Sequence, residues 1–448
     1  MVRGVLSAAI AAAAFAGVAH SAKCTKNSHC PKETPCCSLY GDCGVGAFCL
    51  GGCDPTMSNS LDSCVPAPVC KSGTYSLDNL DDVLSIDKYL GDASKINWQS
   101  QGDPTIYTDP KSGKKSTLLT MAQGTDGTLL ASTFYVWYGK ICSKLSTAQG
   151  KGVVTAFILM SDVKDEIDFE WVGMDVNDVQ SNFYSQGVTV YTNGKNLTIP
   201  NGNSVETEHE YCVDWQEDSL TWSVDGKEMR KLERSGTWNS TSGRFDYPQT
   251  PSRVMLSLWP AGKDTNAQGT IDWAGGLIDW NSPYMVNGYY AARFSEVTVE
   301  CYDPPQGAQI KGKKTYKYTD EAGTNNTVAI TDDVVVLGSL MGTGEEPGEA
   351  NDNSKPKPTG TVMSVPGVVI PGGQAAGGSS GSGSSDGQAS NPQSTEAAGG
   401  SGGSSSGFVQ GGSSSGSTGA ATTVQPGLSH MSGSVCAIVI AVLGLMVL

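Results

Sequence analysis

Between Asp165 and Trp171 the chain reads Asp-Glu-Ile-Asp-Phe-Glu-Trp. Alternate residues of a β-strand share a face, so Glu166, Asp168 and Glu170 project together while Ile167, Phe169 and Trp171 project to the other side. Three acids on one face repel one another, a cost that persists only where something uses them. A merely solvated strand would intersperse Lys, Thr or Ser, and a calcium site draws its ligands mostly from loops and backbone carbonyls. Cleavage of a glycosidic bond needs one ionised carboxylate as nucleophile and one protonated carboxyl as acid, about 5–5.5 Å apart in a retaining pair. Four residues of a flat strand span about 13 Å. Glu166 and Glu170 must therefore lean together on a curved strand, with Asp168 placed to share a proton with Glu166 and hold the two pKa values apart.

Other chemistries have less material. The chain holds four histidines, and His20 and His430 lie in segments expected to be removed. With His29 and His209 left, no multi-histidine metal site is expected, and neither a metal nor a cofactor is assigned. A formal net charge of -16 argues against nucleic acid as a partner, because the polyanion would repel it.

The carboxylate strand sits in a zone of about 230 residues, 71–302, long enough for one large core. All nine tryptophans fall between Trp98 and Trp280. Short β-branched and aromatic runs recur at Gly152–Met160, Gly187–Tyr191, Leu220–Val224, Arg253–Trp259 and Arg293–Cys301, with turn chemistry at Thr192–Lys195 and Val224–Lys227. The reading is all-β, a two-sheet sandwich in which each sheet buries one face on the other. On Arg253–Trp259, period two puts Arg253, Met255, Ser257 and Trp259 on one face. Sugar rings stack on indoles, but for Trp137, Trp215 and Trp273 the pattern does not separate cleft from core.

Residues 1–22 have one early Arg, a short run of small apolar residues and a small-residue end, the form of a secretory signal peptide. Val435–Leu448 is apolar to the last residue, preceded by a polar spacer and Gly419-Ala420-Ala421, the order of a GPI attachment signal. Gly419 is the expected attachment residue and 420–448 the propeptide. Residues 303–419 read as a disordered Ser/Gly-rich stalk. Twelve cysteines remain without Cys436, and nine of them fall in 23–70, a disulfide-rich module. Sequons at Asn196, Asn239 and Asn325 fit an extracellular route.

The run Asp165–Glu170 resembles the signature of glycoside hydrolase family 16, and its flanks resemble the fungal Crh-type branch of cell-wall transglycosylases. Supporting matches arrive in order: Trp137–Lys140, Asp214-Trp215 with Trp222–Gly226, Leu258–Gly262, Trp273–Trp280 and Val299–Tyr302. The resemblance covers residues 70–303. It implies a β-jelly-roll sandwich with a concave sugar cleft and a retaining mechanism: Glu166 as nucleophile, Glu170 as proton donor and acid/base, Asp168 as auxiliary. It also implies substrate contacts from Glu170, Trp259 and Thr270; Met255 stands where a polar sugar contact is expected.

Cys24, Cys30, Cys36-Cys37-Ser38, Cys43-Gly44, Cys49 and Cys53 resemble a hevein-type chitin-binding module. That resemblance implies pairs Cys24–Cys37, Cys30–Cys43 and Cys36–Cys49, with Cys53 joined to Cys64 or Cys70. It implies a sugar platform of Ser38, Tyr40 and Phe48, with Asp42 in place of an aromatic. The function implied is a secreted enzyme, lipid-anchored in the outer leaflet of the plasma membrane, that transfers chitin chains to β-glucan in the cell wall. A hydrolase using water with the same residues, and a non-catalytic wall-binding adhesin, are the alternatives.

Overall fold

The computed structural model describes residues 22–348. The expected leader, apart from Ala22, the attachment signal with Gly419, and the stalk beyond residue 348 lie outside the described residues.

Two eight-stranded sheets pack face to face. The sheet that carries the acids contains, in chain order, β1 (Val83–Ser85), β2 (Trp98–Gln101), β3 (Thr128–Val136), β4 (Val153–Ser161), β5 (Glu166–Val172), β6 (Asp178–Tyr184), β7 (Lys195–Thr198) and β8 (Ser252–Pro260). Their spatial order is β7-β6-β5-β4-β8-β3-β2-β1, antiparallel except at β1/β2. In the second sheet, Gly139–Ser146 and Tyr289–Cys301 lie side by side near the centre. This is the two-sheet jelly-roll sandwich, almost wholly β, with one short α-helix, α1 (Gln268–Trp273), among the described residues.

The period-two reading of the acidic run explains why the sheets adhere. Ile167, Phe169 and Trp171 enter the central core, where Tyr211, Trp215 and Trp222 come from the opposite sheet. Burying a side chain such as Phe169 stabilises the sandwich by about 1.5–3 kcal/mol. Trp137 and Trp215 also belong to this core, their indole N–H groups donating to the carbonyls of Gln249 at 2.8 Å and Pro248 at 3.1 Å. At Asp225-Gly226 both φ angles are positive, 50° and 76°, as a tight hairpin turn requires.

Two expectations are corrected. Gly187–Tyr191 is loop rather than strand. Gln186 and Gly187 have φ of 49° and 67°, which ends the extended run, and the Gln186 amide donates to the carbonyls of Ala322 and Gly323. The folded body also continues past residue 302. Thr315–Tyr318 and Val328–Thr331 pair with each other, and the first of them pairs with Ala67–Pro68. Tyr316, Tyr318 and Val328 are buried, and Leu337 packs beside Leu50 and Tyr89. The segment 303–348 has no Trp or Cys, so composition hid it.

Disulfides join Cys24–Cys37, Cys30–Cys43, Cys36–Cys49 and Cys53–Cys64 in the N-terminal module. Cys142–Cys212 bridges neighbouring strands of the second sheet. Cys70–Cys301 ties the exit of the module to the end of the long strand Tyr289–Cys301.

Candidate active site

The carboxylate strand is fixed at its start and at its middle. Asp165 closes the β4–β5 hairpin: its buried carboxylate accepts from the Gln186 N–H at 2.9 Å, the Gln249 N–H at 3.0 Å and the Thr250 hydroxyl at 2.6 Å. It therefore organises the turn and stands apart from the three acids that follow. At the middle of β5 the Trp222 indole N–H donates to the Asp168 carbonyl at 3.0 Å. Both anchors come from elements remote in sequence.

Glu166, Asp168 and Glu170 are buried on the outer face of this sheet. Oε1 of Glu170 has no hydrogen-bond partner among the described residues, and Glu166 and Asp168 have none beyond the bond their own side chains make with each other. Burial raises the Glu166 pKa well above the usual carboxylate range, and the charges of Asp168 and Glu170 push it further. Glu170 is raised well above its ordinary value by burial and then by Asp168. Asp168 is pushed up to about 7, mainly by burial. Three coupled carboxyls in one environment do not all ionise near neutrality, so the cluster retains protons. It can thus present an ionised and a protonated carboxyl together, the combination glycoside cleavage requires.

The neighbouring strand adds residues that the sequence did not single out. Across β5/β6, Glu166 faces Tyr184, Asp168 faces Asn182 and Glu170 faces Gln180. The Asn182 amide donates to the Tyr184 hydroxyl at 2.6 Å. The alternation Gln180-Ser181-Asn182-Phe183-Tyr184 is the signal that could have found them, once its pairing with β5 was known.

On the other flank, β4 and β8 bring Met160, Ile158 and Ala156, then Met255 and Trp259, to the same outer face. Trp259 is itself only 3% exposed. It stacks on Trp273 of α1, centroids 6.0 Å apart and planes at 25°, and the half-buried Trp273 is the more exposed ring of the pair. The Trp273 indole N–H reaches Gln180 Oε1 at 2.8 Å. Thr270, one helical turn earlier on α1, shares a face with Trp273.

The cystine-rich module is docked on this same sheet. Gly52 N–H donates to Asp162 Oδ1 at 2.9 Å, and the Tyr135 hydroxyl donates to the same oxygen at 2.7 Å. Burial raises Asp162 to about 7. Arg253 fills the space beside Gly51, where a Cβ would lie 2.6 Å from the guanidinium. The Ser38, Tyr40 and Phe48 set is not an outward-facing surface. Phe48 is buried against Gly44 and Ile86, and the Ser38 hydroxyl accepts the Asp42 N–H at 3.3 Å. Tyr40, half-buried, packs against the cluster that holds Met255 and Leu129. Asp42 pairs with Lys23 at 2.7 Å. The sequons lie elsewhere: Asn196 is exposed on β7, Asn239 donates to Asp246 at 2.8 Å, and Asn325 opens a short 3-10 turn.

Residues 92–275 match the model of the glycosyl hydrolases family 16. The chain is 52% identical over 342 residues to Crh-like protein 2 of Aspergillus fumigatus, covering 76% of each chain. It is 42% identical over 327 residues to Congo red hypersensitive protein 2 of Saccharomyces cerevisiae, covering 72% of this chain and 69% of that one. The chain belongs to the fungal Crh-like branch of glycosyl hydrolase family 16. Membership makes this Crh-like protein an enzyme of the glycosidase class, with the acids of β5 inside the matched region. A solved structure described as a Crh5 transglycosylase in complex with NAG is 29% identical, covering 62% of the Crh-like chain and 99% of its own, at a TM-score of 0.49.

Proposed function

We propose that this protein is a secreted, lipid-anchored retaining transglycosylase that cleaves chitin-type β-1,4-linked donors and transfers them to β-glucan, cross-linking the fungal cell wall. The observation that carries the reading is the buried, coupled trio Glu166, Asp168 and Glu170 on one face of β5. In the first step Glu166, ionised while Asp168 holds a proton, attacks the anomeric carbon. Glu170 gives its proton to the departing sugar oxygen as the glycosidic bond breaks, leaving a glycosyl ester on Glu166. In the second step Glu170, now a carboxylate, takes the proton of a glucan hydroxyl whose oxygen displaces Glu166. Trp259 and Thr270 hold the donor on the β8 side. The 52% identity to a Crh-like protein supports the Crh-type reading. The leader and tail signals of the sequence support the secreted, anchored location.

The test incubates the secreted chain with chitin oligosaccharides and labelled β-glucan oligosaccharides. Hybrid products are expected. Shortened chitin without label would assign water as the acceptor, and absence of turnover with both sugars bound would leave a wall-binding role.

A further inference from the structure

Polar atoms without partners run across the strands of the outer face. Glu166, Asp168 and Oε1 of Glu170 on β5 are followed by Trp259 Nε1 on β8, then by Gln99 Nε2 and Gln101 Oε1 on β2, buried atoms that, apart from the Glu166–Asp168 pair, have no hydrogen-bond partner among the described residues. Buried polar groups normally find partners, so this row marks the path of a ligand rich in hydroxyl and amide groups. At its far end Gln101, Leu129 and Met255 meet Ser38, Leu39 and Tyr40 of the cystine-rich module in one half-open crevice. The Tyr40 ring packs on the Met255–Leu129 cluster, and its hydroxyl lies beside the Gln101 side chain.

We infer that the cystine-rich module supplies the outermost donor subsite of the catalytic cleft, with the Tyr40 ring as stacking surface and the Gln101 amide as hydrogen-bonding partner for an N-acetylglucosamine-type unit. The inference rests on the proposed transglycosylase reading, in which Trp259 holds the donor. Three interstrand spacings of about 4.8 Å separate β5 from β3, room for about three units of an extended β-linked chain before Tyr40 is reached. The module is held there by the Gly52–Asp162–Tyr135 hydrogen bonds, so its aromatic ring keeps a fixed register to the carboxylates. Met255 then has an apolar task at this position: it supports the ring of Tyr40 from below.

The experiment measures kcat/KM of the secreted full chain for chitin oligosaccharide donors of two to six units with a fixed labelled β-glucan acceptor. In Tyr40→Ala the ratio of kcat/KM for the six-unit donor to that for the two-unit donor falls about ten-fold, the size of a lost aromatic stack. Tyr40→Phe keeps that ratio, and Gln101→Ala lowers it in the same direction. Because Gln101 lies on β2, its variant reads the subsite even where Tyr40→Ala does not fold. An unchanged ratio in folded Tyr40→Ala or in Gln101→Ala, with the native chain active, overturns the inference and leaves the transglycosylase reading intact. A native chain that turns over no donor of any length overturns that reading, and the subsite with it.

Discussion

The indole N–H of Trp222 donates to the main-chain carbonyl of Asp168 at 3.0 Å, fastening the second sheet to the middle of the strand whose opposite face carries the acids. A residue that touches none of the three carboxyls thereby sets the backbone from which all three project. Trp222→Phe keeps the aromatic packing and removes the donor. It is expected to lower stability by about 1–3 kcal/mol and to reduce kcat more than KM is raised. Urea unfolding beside steady-state kinetics checks both; a stability loss with kcat unchanged would show that the strand needs no such anchor.

Glu166→Gln and Glu170→Gln each remove one of the carboxyls of the proposed mechanism from a buried position at constant size. Each is expected to reduce transfer by about 10²–10⁴-fold or more while the circular dichroism spectrum is retained. Native-level hybrid formation by either variant would end the proposed mechanism.

Asp168 gives a pH signature. Its carboxyl is raised from an ordinary 3.8 to about 7, chiefly by burial. Between those values the unfolded chain has released the proton and the folded chain retains it, so stability falls as pH rises through that window. Asp168→Asn abolishes this loss. The variant should match the native chain at low pH and gain on it progressively as the pH rises toward about 7. Melting temperatures over this range test the prediction, and a variant less stable than the native chain at pH 7 would contradict it.

Ending the chain at residue 302 should damage it. Tyr316, Tyr318 and Val328 are buried, and the Gly344 N–H bonds the Ser63 carbonyl at 2.8 Å, so removing 303–348 uncovers apolar surface on both the sandwich and the module. Residues 22–348 are expected to be soluble and to unfold cooperatively, and 22–302 to aggregate. Size-exclusion chromatography of the two secreted forms decides this.

The Cys70–Cys301 bridge closes a loop with a sequence separation of 231 residues. Its replacement by Ser at both positions should cost about 2–5 kcal/mol. Chemical denaturation of the double variant provides the measurement, and a loss below 1 kcal/mol would mean that the strand pairing alone holds the two ends.

The run 165–171 alone marks the acid-bearing strand and the division of its faces. Period-two alternation depends on neighbouring residues alone, so Phe169 and Trp171 could be assigned to one side and Glu166, Asp168 and Glu170 to the other before any partner strand was known. What shares the face with those acids depended on strand pairing, which brings Tyr184 and Asn182 of β6 directly beside them, Met255 of β8 two strands away and Gln101 of β2 at the far end. The same holds for the tryptophans. Trp137 and Trp215 are core while Trp273 stacks on Trp259 at the outer face of the acid-bearing sheet, a difference of packing that identical side chains cannot announce. The small module shows the contrast most clearly. Its cysteine spacing marked a stapled unit, but only the docked structure places Tyr40 on the catalytic sheet, because that contact joins surfaces about ninety to two hundred residues apart in the chain.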